Sequence, residues 1–89
     1  MGYSNGKECQ HAGIDEKAVA RIATRLDKVM ADAERIGITL FCGGCSPTLR
    51  YNDGDESYRL LIVGHCMFKN ADGGDGGYCE DKNGLLRGE

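Results

Sequence analysis

From Glu16 to Ile36 the chain runs without Gly or Pro, and Ala18, Ile22, Leu26, Val29, Ala33 and Ile36 recur at steps of three and four. That spacing puts the apolar side chains along one face of a helix. Asp15 stands where an N-cap accepts the first free amides, with Ile14 before it and Val19 four residues beyond as a hydrophobic staple. Gly37 supplies the left-handed residue that closes such a helix. At 1.5 Å per residue the predicted helix is about 31 Å long.

The pattern then shifts to extended segments. Ile38 to Phe41 is β-branched and aromatic, and Thr48 to Tyr51 is placed to return as its hairpin partner, with Pro47 weakening the pairing at that end. Asn52-Asp53-Gly54-Asp55 marks a turn. Tyr58 to Val63 reads as the strongest strand and, being apolar on both faces after Arg59, as one covered on both sides. Beyond Phe68, the run from Asn70 to Gly77 is too rich in glycine to hold regular structure cheaply. The predicted fold is α+β. A flexible lead-in of residues 1–13 precedes a single domain of residues 14–89. In it one long amphipathic helix packs on a small, mostly antiparallel three-stranded sheet, followed by an irregular C-terminal segment.

Composition narrows the function classes. A net charge of −3 argues against nucleic acid as the main partner, because phosphate binding needs clustered, uncompensated Lys and Arg. The longest apolar run, Leu60 to Val63, is far short of a membrane span. The polar stretch Met1 to Lys7 has no apolar h-region, and Gly6 stands where a myristoylation motif needs Ser or Thr. A cytoplasmic location is therefore expected, where thiols stay reduced and clustered cysteines bind metal or react rather than pair. Five cysteines would in any case leave one without a partner. At 89 residues the core is modest, so a staple or a second copy in a homodimer is expected to complete it.

Cys42-Gly43-Gly44-Cys45 is the strongest chemical signal. A two-residue spacer lets two thiolates of one tight turn face a single ion, which is half of a tetrahedral zinc site. With Cys66 and Cys79 the candidate ligand set is complete, and the first pair falls at the tip of the predicted hairpin, like the knuckle of a zinc ribbon. Ribbons carry a second close pair, whereas Cys66 and Cys79 are far apart, so His65, His11 or Cys9 stand as substitutes. The plain alternative is a buried Cys66 and an incidental loop thiol at Cys79. A redox role for the CxxC pair would need Cys42 at a helix N-terminus, yet Ser46-Pro47-Thr48-Leu49 reads as extended. His65 and Cys66, adjacent on a strand, point to opposite faces, so no nucleophile–base pair and no catalytic residue is predicted.

The remaining signals concern partners. Asn70, Asp72, Asp75, Glu80 and Asp81 gather oxygen ligands but fail the EF-hand spacing. Lys17, Arg21, Arg25 and Lys28 form a basic flank beside the apolar stripe, and Asp53, Asp55 and Glu56 form an acidic turn. Both are candidate partner-binding surfaces, with a solvated flank as the ordinary explanation. The expected function is a small non-enzymatic protein-interaction domain stapled by a cysteine–zinc site. The alternatives are a small inhibitor or accessory protein of the phage or mobile-element type acting on a host protein, and a CxxC thiol redox protein.

Overall fold

The structure, a computed structural model, describes residues 2–43, 46–73 and 76–88. Its elements are α1 (Gly6–Ala12), α2 (Glu16–Arg35), β1 (Ile38–Phe41), β2 (Thr48–Tyr51), β3 (Leu61–His65), β4 (Tyr78–Glu80) and β5 (Leu86–Gly88). The class is α+β: an antiparallel sheet in the order β1-β2-β3, a second antiparallel sheet of β4 and β5, and two helices. The chain forms two compact units, Met1–Lys28 with Asp75–Glu89, and Val29–Gly74.

The long helix is where its sequence places it. The Lys17 N–H donates to the Asp15 carboxylate at 3.0 Å, as an N-cap requires. At the other end Gly37 lies at φ 77° and its N–H donates to the Glu34 carbonyl. A side chain at Gly37 would also stand 3.0 Å from the Tyr51 ring, which would have to give way by a few tenths of an ångström. What differs is burial. Ile22 and Leu26 are each 55% exposed, Val29 59% and Ile36 66%, so the apolar stripe is open for most of its length.

In the unit built on the three-stranded sheet the expected hairpin forms, with Ile38 opposite Tyr51 and Phe41 opposite Thr48. The Arg50 guanidinium lies 4.0 Å over the Phe41 ring, a contact worth about 0.5–1 kcal/mol at an exposed site. The third strand departs from its expected place. The Tyr58 N–H donates to the Asp55 carbonyl, Asp55 accepts from the Ser57 amide and hydroxyl, and Tyr58 itself sits at φ 61°. This turn delays the strand to Leu61. Nor is the strand covered on both sides: short antiparallel connections put β2 in the middle and leave β3 at the edge. Leu61, Ile62 and Val63 are about half exposed. Leu49 pairs Gly64 while Arg50 pairs Ile62, leaving Val63 as a bulge that bends this edge.

In the unit built on the termini, residues expected to be a loose lead-in form α1, closed by Gly13 at φ 73°. The reason is long-range: the Leu86 N–H donates to the Glu8 carboxylate, which ties α1 to β5. Among the described residues of this unit, Cys9 and Leu85 are the buried apolar ones. The C-terminal segment, expected to be irregular, contains the β4–β5 hairpin. Asp81 organises it by accepting from the Asn83 and Leu85 amides and from Arg87 Nε, while its own N–H donates to the Leu85 carbonyl.

Candidate functional site at the cysteine-bearing end of the sheet

The register of the sheet sets Phe41, Thr48 and His65 in one row across β1, β2 and β3. Cys42 is one residue past that row on the first strand and Cys66 one residue past it on the third, with Pro47 between them. The Cys66 N–H donates to the Pro47 carbonyl at 2.9 Å, which extends the pairing and fixes Cys66 at this end. Two strand spacings separate the flanking positions, roughly 10 Å. Both thiols are free and half-buried. Cys45 lies outside the described residues, as does Asp75 of the acidic loop.

Glycines shape the surroundings. A side chain at Gly43 would meet the Phe41 ring at 2.7 Å, so the ring covers the turn backbone directly. A side chain at Gly73 would stand 2.9 Å from the Cys42 carbonyl carbon and 3.0 Å from the Gly43 nitrogen. The chain after β3 therefore folds back on the backbone at Cys42. Only a residue without Cβ permits so close an approach.

Cys79, Cys9 and His11 belong to the unit built on the termini. Cys79 is exposed in β4, opposite Arg87. Cys9 is buried in α1, and His11 is exposed in the last turn of the same helix. Two residues apart on a helix, Cys9 and His11 do not face one another. His65 is exposed at the end of β3, next to the half-buried Cys66. Among the described residues, no three His, Cys, Asp or Glu side chains are grouped to hold a metal ion.

The candidate partner surfaces are all exposed. Lys17, Arg21, Arg25 and Lys28 line the solvent side of α2. Asp32, one turn past Lys28, pairs with Arg35 at 2.6 Å. Asp53, Asp55 and Glu56 lie between β2 and β3, where Asp53 accepts from the Asp55 amide. The Ser57 hydroxyl and amide hold the Asp55 carboxyl below the ordinary carboxylate range. Two acids of this turn thus accept hydrogen bonds from local amides. Among the described residues no helix is long and apolar enough to cross a membrane. No family model, curated protein or solved structure matches this chain.

Proposed function

We propose that the chain is a small non-enzymatic protein-interaction domain. The observation that carries this reading is the apolar surface left open on defined elements: Ile22, Leu26, Val29 and Ile36 along α2, and Leu61, Ile62 and Val63 on the edge strand β3. Contiguous exposed apolar side chains rimmed by charge are characteristic of protein contact surfaces. On α2 the rim is the basic flank Lys17, Arg21, Arg25 and Lys28. A partner presenting carboxylates around an apolar ridge complements it.

A structural zinc ion drawing ligands from Cys42, Cys45 and Cys66 would staple the hairpin to β3. The placement of Cys42 and Cys66 on either side of Pro47 supports that part of the reading. Affinity capture from the native host tests the interaction role. A specific protein should be retained by the wild type and lost on the double reversal Arg21→Glu/Lys28→Glu, at unchanged helix content. Retention unaffected by that reversal, and also by Leu61→Asp on the edge strand, would contradict the reading.

A further inference from the structure

Val19, Ile22, Leu26, Val29, Ala33 and Ile36 follow one another at spacings of three, four, three, four and three residues. That alternation is the seam of a two-helix coiled coil, narrower than the broad face a helix turns to a globular core. Five of the six lie in α2, and Ile36 lies in the turn that closes it. Ile22, Leu26, Val29 and Ile36 are each more than half exposed.

The seam is self-complementary when read backwards. In an antiparallel pair of identical helices, Val19 meets Ile36 of the second copy, Ile22 meets Ala33, and Leu26 meets Val29. Every seam residue then has an apolar partner, with the small Ala33 accommodating Ile22. Charge selects the same arrangement. The first half of α2 carries Glu16 with Lys17, Arg21 and Arg25, whereas the second carries Asp27, Asp32 and Glu34 with Lys28 and Arg35. Antiparallel alignment sets the basic half against the acidic half. The side chains beside the seam become specific partners: Arg25 faces Asp32 of the second copy, and the two-fold axis repeats the pair. A parallel pair would set Arg25 beside Met30 instead. Gly2 rests against Ala23 and donates to Asp27, on the other flank, so Arg25 and Asp32 stand on the open side.

We propose that a second copy of this chain docks antiparallel along α2 through this seam, with Arg25 and Asp32 fixing orientation and register. The inference shares with the proposed function only the premise that protein covers the stripe. Sedimentation velocity of the purified full chain over a concentration series tests it. Dimers are expected for the wild type, and monomers for Leu26→Asp, which folds because Leu26 is already exposed. Arg25→Glu replaces two attractions by two repulsions and should weaken the dimer about tenfold, with Asp32→Arg acting likewise. The combined Arg25→Glu/Asp32→Arg chain should regain wild-type affinity, and a mixture of the two single variants should form the heterodimer. A wild type that stays monomeric at millimolar concentration overturns the proposal but leaves the interaction role standing if host capture succeeds. A dimer indifferent to Leu26→Asp, or one weakened by the single reversals but not restored by the double, also overturns it.

Discussion

The Cys66 amide donates to the Pro47 carbonyl at 2.9 Å, so the third strand keeps its hold on the hairpin one residue beyond the last pair of the ladder. This bond fixes a thiol at the end of the sheet where β1 runs into Cys42. The geometry places two of the four candidate cysteines, Cys42 and Cys66, at one end of the sheet.

If zinc joins these thiolates, freshly purified protein should carry about one zinc per chain, and chelation should loosen the hairpin. Cys42→Ser and Cys66→Ser should each cost at least the roughly 10–100-fold in affinity that losing a mere supporting contact costs. Cys9→Ser, in the other unit, should leave the affinity unchanged. Inductively coupled plasma mass spectrometry and competition with a chromogenic chelator measure both.

Gly73→Ala forces a methyl against the backbone at Cys42 and Gly43, where neither neighbour is a flexible side-chain end. A destabilisation of about 1–3 kcal/mol is expected. Cys42 should react faster with a thiol reagent in this variant. Denaturant titration and labelling kinetics read the two effects separately.

The helix and the hairpin were legible because each rests on local chemistry: the Asp15 cap, the Gly37 stop and the β-branched and aromatic content of Ile38–Phe41. What was not legible depends on contacts distant in sequence. Residues 6–12 look like a lead-in until the Glu8 carboxylate meets the Leu86 amide, and the last segment looks irregular until Asp81 ties its hairpin together. The Asx pattern at Asp81-Lys82-Asn83-Gly84 was the signal that would have revealed that turn. The third strand was placed too early because apolar content was weighed above the turn chemistry of Asp55 and Ser57. At the candidate site, the end-of-sheet position of Cys42 and Cys66 followed from the hairpin and the third strand. Cys79 lies in β4, in the other unit.

Acid should loosen the unit built on the termini. The Leu86 amide bond holds the Glu8 carboxyl below its ordinary value, and the Leu85 amide, Arg87 and the Asn83 amide hold Asp81 below its own. A carboxylate depressed in the folded state stabilises fully above its unfolded pKa, and that contribution is lost as pH falls through the lowered value. The loss therefore lies below about pH 4. Amide signals of α1 and β5 followed by NMR should change there together. Glu8→Gln with Asp81→Asn should largely flatten the response.

Tyr58 sits at φ 61° with 94% of its surface exposed, so its left-handed backbone is not offset by packing. Tyr58→Gly removes a strain of about 1–2 kcal/mol and adds about 0.5–1 kcal/mol of backbone entropy cost. The expected net gain is about 0.5–1 kcal/mol, read as a higher denaturation midpoint.

Hydrogen exchange of the α2 amides, followed by mass spectrometry over rising protein concentration, tests most directly whether protein covers the apolar seam. Peptides spanning residues 19–36 should gain protection as concentration increases, and Leu26→Asp should abolish the gain. Exchange in those peptides that stays the same at every concentration, in wild type and variant alike, would contradict the account.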